Sequence, residues 1–393
     1  MRPQSIAIIG AGTAGLASAR LLAGQHHDVT LFERAEELKP VGAGLLLQPS
    51  GLAALDDMGL GGDMRRYGQP IHGLYGHTRQ GRVIMRTEYR HLAANLQGLG
   101  VHRASLCHVL ADGLTHLPVR LCMGSEISAV GHDASGAWLQ HEGADRHYFD
   151  AVLVANGSHS RLRPPAWVRY DRLYPWGAMW AIVPTDHDDQ GLRQCYDGAH
   201  AMAGLLPTGL TPNGSSQRLL GVFWGLPVSS MASWQASDFD FPAWKHSAAS
   251  LWPALEGALA SVEHEHMLSA TYRDVIMRRW GDGRLGFLGD AAHAMSPQLG
   301  QGANMALLDA QALARAVAAN QDWRAVWRDF HRARAPSIRF YQSMSRWLTP
   351  VFQSHGTLAP RLRDVLFPLM DRVPWLRREM ARTVAGLKSG LLR

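Results

Sequence analysis

The chain opens on a short, β-branched apolar run, SIAII over residues 5 to 9, and breaks at GAGTAG. It continues in the helical pattern ASARLLAG and reaches a second apolar run, Val29 to Phe32, that ends on Glu33. This is a βαβ opening. Gly42 to Gly44 bend the chain before LLLQP, and a helix with a polar face, SGLAALDDMG, closes on glycines 59, 61 and 62. From about Tyr67 to Glu88 short alternating segments punctuated by Gly68, Gly73, Gly76 and Gly81 predict antiparallel strands. A helix is predicted from about His102 to Leu114. Strands follow near Val119 to Met123, Ile127 to Val130, Trp138 to His141 and Ala151 to Ala155. Between Trp167 and Trp252 the runs MWAIVP, AMAGLLP and RLLGVFWGLP alternate with Pro/Gly turns, the pattern of a separate, mainly antiparallel sheet. A strand in RLGFLGD then leads to a long helix from about Gly302 to Ala318, and Trp323 to Arg393 is mostly helical, interrupted at Pro374. No repeat with a period of 20 to 50 residues is visible.

Composition narrows the class. With 393 residues, 46% apolar and 18% charged, and with 40 Gly and 20 Pro scattered along it, the chain is globular and long enough for about two domains. Its 39 basic against 33 acidic residues give +6, too mild an excess to argue for nucleic acid. The lysines are Lys39, Lys245 and Lys388, and the C-terminus is locally basic through Arg361, Arg363, Arg372, Arg377, Arg378, Arg382, Lys388 and Arg393. Cys107, Cys122 and Cys195 are far apart, form no CxxC and suggest neither a disulfide framework nor a metal site. No charged-then-apolar leader and no run of 18 apolar residues occurs, so the expectation is a cytoplasmic protein without stable membrane insertion.

The first chemical motif is Gly10-x-Gly12-x-x-Gly15. Gly10 serves the tight turn, Gly12 lets a diphosphate approach the backbone, and Gly15 allows close packing of helix on strand, while the helix N-terminus offers free N–H groups to the anion. Glu33 stands 18 residues after Gly15, where a carboxylate accepts hydrogen bonds from a ribose diol. A dinucleotide is expected here, either FAD or NAD.

The second motif, residues 285 to 304, reads LGFLGDAAHAMSPQLGQGAN. A strand delivers Asp290, and Gly300 and Gly302 open a helix whose free N–H groups suit an electron-rich ring edge that gains negative charge on reduction. At these residues the chain resembles the para-hydroxybenzoate hydroxylase family, the single-component group A flavoprotein monooxygenases. The matching positions are Gly289, Asp290, Ala291, Ala292, His293, Pro297, Gly300, Gly302 and Asn304. The likeness extends to Gly42-Ala43-Gly44, to Arg103 in VHRASLCHVL and, loosely in the tail, to ubiquinone-biosynthesis hydroxylases.

The resemblance implies an α/β fold: a Rossmann-type FAD-binding domain with an inserted, mainly antiparallel substrate sheet and C-terminal helices. The implied division is 1–66, 99–168 and 271–320 for the FAD-binding parts, 67–98 and 169–270 for the substrate part, and 321–393 for the helical region. It implies noncovalent FAD held through Gly10, Gly12, Ala14, Gly15, Glu33, Arg34, Gly44, Arg103, Ile127, Asn156, Gly157, Asp290, Gly300, Gly302, Ala303 and Asn304. Within that set Glu33 meets the adenosine ribose, Arg103 the diphosphate or ring, and Asp290 the ribityl chain. Gly302, Ala303 and Asn304 meet the pyrimidine edge through backbone and side chain. Pro297 shapes the loop between flavin and substrate, and His293 is the candidate base, though in this motif its role is more often structural.

One position departs from the family pattern Asp-Gly-x-x-Ser-x-x-Arg: VLVANGSHSRLR carries Asn156, with Gly157, Ser160 and Arg163 retained. Asparagine loses the charge and gains two donors, which bears on nicotinamide handling more than on flavin binding. The implied reaction uses NADPH or NADH and O₂ to hydroxylate a phenolic or nitrogen-heteroaromatic small molecule through a flavin C4a-hydroperoxide, in a pocket that excludes water. Tyr75, Trp180, Trp224 and Arg218 are the candidate substrate contacts. A flavin dehydrogenase or oxidase is the alternative. A flavin-dependent halogenase is disfavoured because Trp176 and Trp180 do not form that family's Trp-x-Trp motif and no lysine accompanies them. The Leu/Arg-rich tail reads as a helical cap or a homodimer contact in preference to a membrane-surface segment.

Overall fold

A computed structural model describes residues 1–38, 43–212 and 214–390. Lys39, Gly42 and Arg393, singled out above, lie outside the described residues.

A six-stranded sheet forms the first layer, ordered Gly281–Asp282, Leu285–Phe287, Ala151–Val154, Ser5–Ile9, Asp28–Phe32 and Val119–Cys122. Its pairs are parallel except Gly281–Asp282 with Leu285–Phe287. The strand Ser5–Ile9 is apolar from Ile6 onward because the parallel sheet is covered on both faces, by helices on one and by the antiparallel strands Ala129–Asp133, Gly136–Gln140 and Arg146–Phe149 on the other. Helices Thr13–Ala23 and Gly302–Ala319 pack against each other over it. The expected α/β architecture is present.

A seven-stranded sheet forms the second layer, ordered Leu268–Ala270, Trp176–Pro184, Leu219–Pro227, Ala201–Gly209, Gly191–Asp197, Gly73–Thr78 and Val83–Glu88. One pair, Gly191–Asp197 with Gly73–Thr78, is parallel. Alternation along each strand separates two faces. Met179, Ala181, Ala203, Leu205 and Val222 face helices Met231–Trp234, Phe241–Leu251 and Ala254–Leu259, while Tyr196, Met202 and Phe223 form a second cluster with Phe352 on the other face. A small sheet of Gly44–Leu47, Gly98–His102 and Gln69–Ile71 joins the layers: a Cβ on Gly100 would stand 1.9 Å from the Pro207 carbonyl, and one on Gly44 2.2 Å from the Thr208 methyl.

Two details differ from the sequence reading. The strand expected from Ile127 begins at Ala129, leaving Ile127 buried just ahead of it, and Arg146–Phe149 adds a strand, pairing its polar run antiparallel to Gly136–Gln140. Helices Trp323–Phe352, Leu358–Arg372 and Pro374–Val384 finish the chain, with Pro374 at the first turn of the last, where its missing N–H costs no hydrogen bond.

Candidate active site

The diphosphate end of the site is set by three glycines with three different constraints. Gly10 has φ +103°, and a Cβ there would meet the Ala155 carbonyl and Asn156 Cα at 2.7 Å. A Cβ on Gly15 would stand 1.8 Å from the Gly10 carbonyl, so the helix can only lie this close without a side chain. Gly12, capping helix Thr13–Ala23, has no atom within 4 Å of its Cβ position. The space above Gly12 is therefore open, directly at a helix N-terminus. Glu33 is held beside it: Oε2 accepts from the Ala11 amide at 2.8 Å and Oε1 from the Ala35 amide at 3.0 Å, which aims the carboxylate and leaves lone pairs for a diol. Arg34 is exposed next to it. Ala14 lies under Gly289, whose Cβ would approach it to 3.0 Å, so the two motifs meet in space.

The second motif is fastened from beneath. Asp309, fully buried, accepts from the Gly289 amide at 2.9 Å, from His293 Nε2 at 2.5 Å and from Arg334 Nε at 2.7 Å. Burial alone would raise its pKa, but the charges of His293 and Arg334 outweigh that and hold it at about 2. His293 is thus spent inside the protein, its ring against Trp280 at 5.5 Å, and the structure corrects its candidacy as a base. Pro297 is exposed and opens the turn Pro297–Leu299. Gly300 is left-handed at φ +60° before helix Gly302–Ala319.

Within that helix Met305 donates to Gln301 at 2.8 Å. The amides of Gly302, half-buried Ala303 and Asn304 precede the first helical bond and have no acceptor in their own helix. Asn304 needs a second correction: Oδ1 accepts from the Gln48 amide at 2.8 Å, and Nδ2 donates to Leu46 and Gly300 carbonyls at 3.2 and 2.9 Å. Its side chain ties Gly44–Leu47 to the loop and has no donor left for a ligand.

Asp290 is solvent-exposed, and the charges of His293, Arg103, Asp309 and His159 bear on its carboxylate. Desolvation raises its pKa, with His293 and Arg103 pulling it back. Gly302 sits beside it, a Cβ there standing 3.8 Å from Oδ1. Arg103 begins helix Arg103–Ala111, is exposed, and has no ion pair among the described residues. It acts on Tyr272, whose hydroxyl pKa is raised by burial and opposed by Trp180 and Arg103. Trp180 Nε1 donates to the Tyr272 hydroxyl at 3.4 Å, and Trp180 lies on Phe223 at 4.7 Å. Tyr272 and Phe223 were not found from the sequence. Tyr272 carries no motif, whereas Phe223 follows from its pairing with Trp180 once the strand register is known.

Strand alternation corrects two further candidates. Trp224 pairs with Met179 and Ala203 and packs on Trp244 at 5.7 Å, on the helix-covered face opposite Trp180. Tyr75 pairs with Arg193 and so aligns with Leu205 on the same covered face. Its hydroxyl donates to Glu88 Oε1 at 3.2 Å. Arg218 is exposed beyond the end of its strand and bonds Asp188 at 2.5 Å, five residues from Phe223, so it does not join the aromatic group. Asn156 is exposed beneath Gly10, and Gly157 takes φ +85°. Arg163, buried, donates to Ala291 and Ser158 carbonyls at 3.1 and 2.9 Å and to Asp171 at 2.9 Å, while Arg273 holds Asp171 from the other side.

The arrangement that decides the family is the open Gly12 approach, Glu33 beside it and the exposed Asp290 beneath a second free helix N-terminus. A family profile described as an FAD binding domain matches residues 4–328. The chain belongs to the FAD-binding-domain family of flavoprotein monooxygenases. It is 29% identical over 358 residues to a probable 2-heptyl-3-hydroxy-4(1H)-quinolone synthase of Rhodococcus erythropolis, covering 88% of each chain. It is 27% identical over 381 residues to a 3-amino-4-hydroxybenzoate 2-monooxygenase of Streptomyces platensis, covering 95% of this chain and 94% of that one. The crystal structure of Klebsiella pneumoniae HpxO complexed with FAD and uric acid superposes with a TM-score of 0.80 at 19% identity, covering 99% of this chain and 98% of that one.

FAD fits the residues present. The space over Gly12 is open for a diphosphate, the Glu33 carboxylate is fixed for a ribose, and Asp290 is accessible without an ion-pair partner among the described residues. No helix of the described residues is long and apolar enough to cross a membrane.

Proposed function

We propose that this chain hydroxylates a small aromatic compound, using a reduced nicotinamide and O₂, with Trp180 and Phe223 as the wall that receives the ring. The observation that carries the reading is the open Gly12 approach with the fixed Glu33 carboxylate and the exposed Asp290, in a chain that also groups Trp180 with Phe223 and Tyr272 on one face of its second sheet. Bound FAD would supply the redox chemistry: two electrons from the reduced nicotinamide let O₂ be split, one oxygen atom entering the electron-rich ring as a hydroxyl and the other leaving as water.

The protein's part is placement and dryness. The Thr13–Ala23 N-terminus and Gly12 take the diphosphate, Glu33 accepts from the adenosine ribose, and Asp290 accepts from the ribityl hydroxyls. The free amides of Gly302, Ala303 and Asn304 present donors and a positive dipole end where the ring becomes negative on reduction. Asn304 contributes that amide and a rigid loop. Trp180, Phe223 and Tyr272 present apolar ring faces to the substrate, and shielding the reacting atoms from water suppresses unproductive decay. Arg103 offers a fixed cation to an anionic group at the cleft. The relatives' names point to nitrogen heteroaromatics and aminophenols as the substrate class: a quinolone, an aminohydroxybenzoate and urate.

The test is anaerobic stopped-flow of FAD-loaded protein with NADPH and NADH, with and without 4-quinolones and aminohydroxybenzoates, followed by O₂ and product analysis. Flavin reduction accelerated by one compound, with a hydroxylated product carrying oxygen from O₂, is expected. Reduction by neither nicotinamide, or H₂O₂ alone with every compound, overturns the reading. Reduction by the organic substrate itself moves the chain to the dehydrogenases.

A further inference from the structure

Helix Leu358–Arg372 carries two apolar faces that point in opposite directions. The inner face holds Pro360, Arg363 and Phe367. Arg363 is fully buried, donating to the Val351 and Gly198 carbonyls at 3.1 and 3.0 Å and lying over the rings of Tyr196 and Phe352, while Phe367 packs on Phe352 at 5.7 Å. The outer face holds Leu358, Leu362, Val365, Leu366 and Leu369 and runs on to Val373, with exposures of 70, 51, 48, 50, 49 and 44%. Steps of three and four residues put these on one stripe, its centre about a third of a turn from Arg363 and somewhat under half a turn from Phe367. Trp375, 65% exposed, opens the next helix beside it. Seven large apolar side chains exposed side by side form a contiguous patch of the kind that marks an interaction surface.

The charge around this stripe is one-sided. Residues 358 to 384 hold six arginines (361, 363, 372, 377, 378 and 382) and three acids (364, 371 and 379). Asp364 is taken by Arg363, and Glu379 by Arg382 and Lys388. Arg361, Arg372, Arg377 and Arg378 have no ion pair among the described residues, and helical spacing sets Arg361 and Arg372 along one border of the stripe.

We propose that this face docks on the surface of an anionic lipid bilayer, with the leucines at the acyl boundary and the arginines at phosphate level. An amphipathic helix with basic flanks binds in this way, the long arginine stems lying along apolar surface while their heads meet the phosphates. The same charge argues against a second copy of the chain as occupant: a two-fold pairing through the stripe brings Arg361 and Arg372 of both copies together with Asp364 and Glu379 already engaged. Binding is peripheral, because neither helix is long and apolar enough to span.

The test is co-sedimentation of the full FAD-loaded chain with vesicles of phosphatidylcholine alone or mixed with phosphatidylglycerol, at low and high salt. At least about tenfold stronger binding to the anionic vesicles, weakened by salt, is expected. L362E/L366E/L369E should lose that gain, and R361E/R372E should bring the two vesicle types level. All five side chains are exposed, so melting temperature and bound flavin should match wild type and show that the fold is intact. Absence of binding to anionic vesicles at low salt, or binding that survives the leucine variant, overturns the proposal. Light scattering that shows a dimer split by the leucine variant overturns it too, by assigning the face to a second copy.

Discussion

His293 and Asp309 face each other at 2.5 Å in the protein interior, and Arg334 occupies the other carboxylate oxygen of Asp309. The loop that carries Asp290 is therefore held by charge from below while its upper side stays open. Asp309→Asn keeps the shape and removes the charge between two basic groups. It should cost roughly 3 kcal/mol of stability near neutral pH.

The pH dependence follows from the same group. Its folded pKa, about 2, lies below the ordinary 3.8, so its contribution is present above about pH 4 and is lost as pH falls toward 2. That contribution is on the order of 2 kcal/mol. Urea midpoints of wild type and the Asn variant should converge as pH drops from 6 to 3. A constant gap would show that the carboxylate's charge is not what holds the loop.

Gly12 and Gly15 are three residues apart and should fail differently. Gly12→Ala adds a methyl to open space, so the chain should fold with unchanged melting temperature and retain FAD roughly tenfold less tightly, because the methyl stands where the diphosphate approaches. Gly15→Ala meets a carbonyl at 1.8 Å and should destabilise by roughly 3 kcal/mol or more, seen by calorimetry.

Trp180 and Trp224 make a second contrasting pair. Trp180→Ala should lower kcat/KM for the aromatic substrate by about tenfold or more with flavin binding intact. Trp224→Ala should leave kcat/KM nearly unchanged and cost roughly 2 kcal/mol, since it removes packing against Trp244. The reverse outcome would place the substrate on the helix-covered face.

Arg363→Ala removes the bolt between helix Leu358–Arg372 and the seven-stranded sheet. It leaves two carbonyls and Asp364 without their donor and should lower stability by roughly 3 kcal/mol. A thermal melt followed by tryptophan fluorescence would show it as an early loss of the C-terminal helices.

How much of this was readable in the sequence depended on whether the constraint was local. Gly10, Gly12, Gly15 and Glu33 answer to the backbone of a single strand-turn-helix, so their spacing was enough. The parity of a strand is different: TyrGlyHis and PheTrpGly alternate whichever way the sheet is turned, and only the helices 231 to 259 packing on one side assign Tyr75 and Trp224 to it. Asn304 shares a motif with a ligand-binding amide, yet its side chain answers to Gln48 and Leu46, more than 250 residues away. Asp309 was not singled out in the sequence, because its partners His293 and Arg334 come together only when the helix Trp323–Phe352 packs beside it. The tail's mixture of leucine and arginine was plain, whereas the side that Arg363 buries was set by carbonyls of distant segments.

The seven-stranded sheet behaves as a partition. Phe223 and Trp224 are neighbours in the chain but belong to separate compartments, as do Met179 and Trp180. Substitutions in one compartment should therefore add to those in the other without coupling. A chamber built on one side of such a wall can be reshaped for a new ring while the packing that keeps the wall standing is left alone. Enzymes that share barely more than a quarter of their residues can then keep one architecture and part company over what they oxidise.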